Sequence, residues 1–242
     1  MEAGLARNPP VAEAAIYRLS RYLQSVVRLD SDGVPTVLSS EIGGLSGVSA
    51  EQVRKDFSHF GQFGRPGVGY SVPDLRRRLA RILRLDQEQH VVIVGAGHLG
   101  AALVAYPEFA HRRFRIVAVI DSDRTKVGTT VGRHRVRDVD ELPGISRLLH
   151  VDIGVIAVPA ESAQDAANAI VEAKITAILN FASVRLRVPA NVVVKTVDLN
   201  RELEWLAFFL PAFWPGHAIH DTSVSMLSST TAPRSLSEAR TG

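Results

Sequence analysis

The stretch HVVIVGAGHLG, residues 90–100, constrains this chain more than any other. A short apolar run gives way to glycines in the order G-x-G-x-x-G, the pattern of a buried strand turning into a helix. Gly95 permits the tight turn, Gly97 lets the backbone approach a pyrophosphate, and Gly100 lets the helix pack on the strand. Ala96, His98 and Leu99 share that corner, where the helix N-terminus offers N–H donors and the positive end of its dipole. A second β-like run, FRIVAVI (114–120), ends in Asp121, the spacing expected of a ribose ligand at about twenty residues. An acid there accepts hydrogen bonds from a ribose 2′-hydroxyl and repels a 2′-phosphate. It favours NAD(H) over NADP(H), a preference that Arg124 would blunt.

Further β-like runs at 152–158, 177–181 and 191–197 alternate with helical patterns, which predicts a parallel sheet over residues 87–198. The loops at Val158–Pro159 and at Asn180–Phe181 should border the nicotinamide half of a dinucleotide. The usual apparatus of turnover is missing: no tyrosine is followed four residues later by lysine, and no His lies in a convincing His–Asp constellation beyond the fifth strand. No catalytic residue is therefore assigned, and a cofactor domain without a substrate domain points to sensing. Residues 199–214 read as a strongly apolar helix, and the Ser/Thr-rich 215–242 as a disordered tail. With no cysteine, the chain has no disulfide, zinc ribbon or thiol chemistry, and no metal site is expected. No apolar run nears the ~20 residues of a spanning helix, and the first residues lack the apolar core of a signal peptide. A cytoplasmic protein without membrane contact is the expectation.

Residues 11–86 explain why the glycine motif starts so late. A helix over 11–28 carries Ile16, Leu19, Tyr22, Leu23 and Val26 as an apolar stripe. A short helix near Ser40 breaks at Ser46–Gly47, and Ser49 then caps a third helix over 50–60, with Gln52 in capping-box position. Helix, tight turn and capped helix form the helix-turn-helix pattern. Burying Val53 and Phe57 leaves Gln52, Arg54, Lys55, Ser58 and His59 outside, where Arg and Gln suit base edges and Lys and Ser suit phosphates. Glycines 61, 64, 67 and 69 surround Arg65, which reads as the tip of a hairpin wing able to enter a minor groove. The net charge of +3 arises wholly in residues 1–86, with twelve Lys and Arg against nine Asp and Glu. That is the sign an anionic partner needs. Gly43–Gly44 inside the second helix has no explanation at this level.

With this module before the dinucleotide motif, residues 11–214 resemble the Rex family of redox-sensing transcriptional repressors. The resemblance is carried by QVRKDFSHFGQFGRPGVGY (52–70), IVGAGHLGAALVAYPEF (93–109), ILNFA (178–182) and VDL (197–199). It implies an α/β protein: an N-terminal winged helix-turn-helix, a Rossmann-type parallel sheet and a C-terminal helix swapped across a homodimer. It implies binding of double-stranded palindromic operator DNA, compatible with NAD⁺ and released by NADH. It also implies switch roles for Tyr106, expected in the helix leaving the glycine corner, and for Asp198. The chain departs from the family at three points. His59 stands where the family commonly has Tyr, GRPG replaces the usual wing order, and Gln24 stands where some members place a switch arginine. A neutral hydrogen bond, or another arginine such as Arg18 or Arg21, would then have to serve. Two other readings remain open at this stage: a small NAD-dependent oxidoreductase with an N-terminal dimerisation domain, and a CoA- or nucleotide-binding module.

Overall fold

The computed structural model describes residues 13–210, apart from 62, 65 and 66. Arg65 and residues 11–12 and 211–242, on which the expected end of the last helix and the expected tail fall, lie outside the described residues. The chain divides after Val197 into two compact units.

The first unit begins with helix α1 (Glu13–Ser31). Its buried stripe is Ala15, Leu19, Tyr22, Ser25 and Val26. Ile16, expected in that stripe, is 48% exposed. Small residues take the contact instead, because α2 (Ser39–Ser46) comes close enough for the Ser25 and Ser46 hydroxyls to meet at 3.2 Å. The turn after α2 also explains Gly43. A Cβ there would lie 2.6 Å from the Val48 carbonyl oxygen, so the chain can fold back only over a glycine. Nothing in the structure explains Gly44. Helix α3 (Ala50–Ser58) follows, its first turn closed by the Ser49 hydroxyl accepting from the Gln52 amide. Strands β1 (Thr36–Val37) and β2 (Tyr70–Ser71) pair antiparallel at the base of the wing, with Val37 opposite Tyr70. Helix α4 (Val72–Ile82) closes a core of Leu19, Tyr22, Ile42, Val53, Phe57 and Leu79.

Residues 89–196 form a mostly parallel sheet. Its strands are β3 (Gln89–Val94), β4 (Phe114–Asp121), β5 (Thr130–Val131), β6 (His134–Asp138), β7 (Ile153–Ile156), β8 (Ala177–Asn180) and β9 (Val193–Thr196). The order is β5-β6-β4-β3-β7-β8-β9, with only β5 antiparallel. Alternate residues of the central strands feed two cores: Val92, Val94, Ile120 and Ile156 on one face, Val91, Ile93, Val119 and Val155 on the other. Both faces are buried, which is why these strands read as continuous apolar runs. Helices α5 (His98–Val104), α6 (Pro107–His111), α7 (Leu142–Leu149) and α8 (Ala163–Glu172) join the strands. The second unit holds α9 (Leu199–Phe208), on which Leu203, Trp205, Leu206 and Phe208 are all more than half exposed.

Candidate nucleotide cradle and nucleic-acid interface

The glycine corner is shaped by close approach. Gly95 has φ +113°, and a Cβ there would meet the Ala157 carbonyl oxygen at 2.6 Å, so only glycine lets β3 turn beside β7. A Cβ on Gly100 would collide with the carbonyl oxygen of Gly95, whereas one on Gly97 would meet nothing within 4 Å. The turn and the packing are therefore fixed by two glycines, and the third leaves open space beside the α5 N-terminus. His98 and Leu99 lie exposed in that first turn.

Asp121 ends β4 and is buried. Its Oδ2 accepts from the Ala96 amide at 2.8 Å, and its Oδ1 from the Asp123 amide at 2.8 Å. Lys126 adds its Nζ at 3.2 Å. Burial alone would raise this carboxyl, but the two backbone N–H groups and then the lysine outweigh it, so the pKa lies below the usual carboxylate range. An ionised carboxylate offers about four acceptor positions, so three donors leave room for a ribose hydroxyl. The residue thus ties the glycine corner to the end of β4. Lys126 is the cation that meets this carboxylate. Asp121 and Val158 line one cleft of about 420 Å³ at the carboxyl ends of the strands, with Val94, Ser122 and Pro143. Pro159 begins the short 3-10 turn on the same rim. Asn180 faces inward: its Nδ2 donates to the Val184 carbonyl at 3.0 Å and its Oδ1 accepts from the Ala182 amide at 3.0 Å. It shapes the loop that carries Phe181, which is half-buried.

Tyr106 does not lie within the helix leaving the glycine corner. Pro107 cannot continue α5, so the chain restarts as α6 and Tyr106 occupies the joint, half exposed, with its ring edge-on to Phe109 at 5.3 Å. Asp198 caps α9, accepting from the amides of Asn200 and Arg201 at 3.1 and 3.4 Å.

On α3, Arg54, Lys55, Ser58 and His59 are exposed, and the Ser58 hydroxyl donates back to the Lys55 carbonyl. Gln52 is not free, nor does it complete a capping box: its Nε2 donates to Asp56 Oδ1 at 2.8 Å. Asp56 is buried, and it also accepts from Arg18 Nε and Nη2 at 2.6 and 2.7 Å and from the Tyr22 hydroxyl at 2.8 Å. Burial would raise this carboxyl, and the Arg18, Tyr22 and Gln52 donors together bring it below the ordinary range. Burial and the hydrogen bond to Asp56 push the Tyr22 phenol far up. Arg18 is committed to clamping α3 onto α1, while Gln24 is exposed. The signal for this network lay in the sequence: Asp56 falls on the face of α3 shared by Val53 and Phe57, where a carboxylate needs a cation. Among the described residues no cluster of His, Cys, Asp and Glu has the makings of a metal site.

A helix-turn-helix with an exposed basic face, followed by a parallel sheet with a glycine corner and a cleft at the carboxyl ends of its strands, defines a ligand-responsive DNA-binding regulator. Known proteins make the class specific. A family described as "Putative DNA-binding protein N-terminus" matches residues 10–58, and one described as "CoA binding domain" matches 86–184. The redox-sensing transcriptional repressor Rex of Desulforamulus reducens is 47% identical over 200 residues, covering 83% of this chain and 95% of that protein. Rex of Streptomyces coelicolor is 45% identical over 213 residues, 86% of this chain and 83% of its own. A solved structure of RSP in complex with β-NAD⁺ and operator DNA matches with a TM-score of 0.78 at 34% identity, covering 83% of this chain and 92% of that one. RSP with β-NADH matches with a TM-score of 0.72 at 32% identity, covering 83% and 94%. The chain belongs to the Rex family of redox-sensing transcriptional repressors. It is a regulator and not an enzyme.

Proposed function

We propose that the protein binds palindromic operator DNA as a homodimer in the cytoplasm, and that NADH releases it, so that transcription follows the NADH/NAD⁺ ratio. The observation that carries this reading is the Asp121–Ala96 bond, which ties an acid of the type that binds ribose, itself lining the cleft, to the glycine corner. The RSP complexes with NAD⁺, NADH and operator DNA support both ligands.

In this reading residues 11–86 bind DNA, 87–198 bind NAD(H), 199–214 are the swapped helix and 215–242 a tail. The exposed apolar side chains of α9 support a partner subunit covering them. Gly95, Ala96, Gly97, His98, Leu99 and Gly100 cradle the pyrophosphate, Asp121 holds a ribose, and Val158, Pro159 and Phe181 border the nicotinamide. Asn180 contributes by shaping its loop. Ser49, Arg54, Lys55, Ser58, His59 and Arg65 face the DNA. NADH differs from NAD⁺ in having lost the ring's positive charge and planarity, and a ligand shifts an equilibrium only through such differential affinity. Tyr106 and Asp198 are the groups proposed to register that difference.

A gel shift on an operator selected by the protein from a random duplex pool tests the reading. NADH should abolish the shifted band and NAD⁺ should leave it. Release by CoA, with no response to NADH, would point instead to the ligand in the second matched family's description.

A further inference from the structure

The surface proposed to face DNA holds a polar contact between the capped helix and the start of α2. Arg54, on the exposed side of α3, turns back toward the start of α2, where its Nη1 donates to Ser39 Oγ at 3.0 Å. Tyr70 of β2 lines the same groove, its ring edge-on to Phe57 of α3 at 5.3 Å and its backbone paired with Val37 of β1. The ring is thus fixed from two elements at once.

The wing's backbone makes a second, independent contact with the same ring. A Cβ on Gly64 would lie 2.7 Å from Tyr70 Cδ1 and 2.6 Å from the Gly69 carbonyl oxygen. The wing therefore rests directly on Tyr70, and any shift of one is felt by the other. Ser39, Arg54, Gly64 and Tyr70 all line this groove.

An exposed arginine samples many rotamers, and fixing it at a base edge costs that freedom. Ser39 occupies one N–H of the guanidinium and leaves the rest of its fork for a guanine edge. We propose that Ser39 is a positioning residue for DNA reading, holding Arg54 in one orientation beside the wing. The inference rests on the operator-binding reading above. It assigns work to a residue outside the capped helix.

The test uses the full chain, with fluorescence anisotropy on the selected operator and on a scrambled duplex of equal length. Ser39→Ala should weaken operator binding by about 3- to 10-fold, the range for losing one hydrogen bond. It should leave the scrambled duplex and the thermal melt unchanged, and Ser39→Thr should retain wild-type affinity. In an Arg54→Ala background, Ser39→Ala should add nothing. Equal losses on both duplexes, or an added loss in that background, would overturn the proposal. So would unaltered operator binding by Ser39→Ala while Arg54→Ala loses affinity. If Arg54→Ala itself leaves operator affinity intact, the assignment of α3 as the reading helix fails, and the positioning role falls with it.

Discussion

Replacing Asp56 by alanine removes the acceptor for four donors at once: Nε and Nη2 of Arg18, the Tyr22 hydroxyl and the Gln52 amide. These donors do not suffer equally. The Arg18 side chain is 24% exposed and regains water, as does half-buried Gln52, but Tyr22 is wholly buried and cannot. An orphaned buried hydroxyl costs about 1–3 kcal/mol, and breaking a buried ion pair costs about 3–5 kcal/mol. The exposure of Arg18 places Asp56→Ala near the low end, about 3 kcal/mol. Tyr22→Phe should recover about 1–2 kcal/mol in the Asp56→Ala background, because it removes the orphaned hydroxyl.

Amide hydrogen exchange resolved to α1 and α3 measures this, since those helices should lose protection while the sheet keeps it. The pH dependence has a definite sign. The folded carboxyl lies below its unfolded value, so the stabilisation is complete above the unfolded pKa of about 3.9 and is lost as pH falls through the lower folded pKa. The wild type should approach the variant only in acid below about pH 4. A cost under about 0.5 kcal/mol, the size of an ordinary surface change, or unchanged protection of α3, would refute the clamp.

Four further outcomes follow from the same geometry. Asp121→Ala should weaken NADH binding by loosening the Ala96 corner and losing a ribose acceptor, and should raise NADPH relative to NADH. Lys126→Ala should sharpen the preference for NADH, and calorimetry with both nucleotides reads each effect. Lys55→Ala should weaken every duplex alike and reduce the slope of log affinity against log salt by about one. Tyr106→Phe and Asp198→Ala should retain NADH binding but dissociate from operator only at higher NADH, which paired calorimetry and anisotropy titrations separate.

Backbone demands were the legible part of this sequence. Gly95 and Gly100 announce a close approach that no other residue permits, and the apolar runs of β3, β4 and β7 announce a sheet buried on both faces. The hairpin of β5 and β6 escaped because HRVRD carries one apolar residue, Val136, between charges, too weak an apolar pattern to read as a strand. Gln52 was misread because helical spacing shows which face a residue occupies but not whether a neighbour one turn on claims its side chain. Pro107 already marked the break that puts Tyr106 at a joint. Gly43 could not be explained from local pattern, since the carbonyl it accommodates belongs to a turn five residues later. Lys126 went unnoticed because only the turn that follows β4 carries it back to Asp121.

The measurement that bears most directly on the account holds total NAD⁺ plus NADH constant and varies only their ratio, while anisotropy follows a labelled operator bound to the full chain. The account predicts a graded loss of bound operator as the NADH fraction rises, reversed when NAD⁺ is restored. Bound operator that depends only on the total dinucleotide concentration, or on neither form, would contradict it.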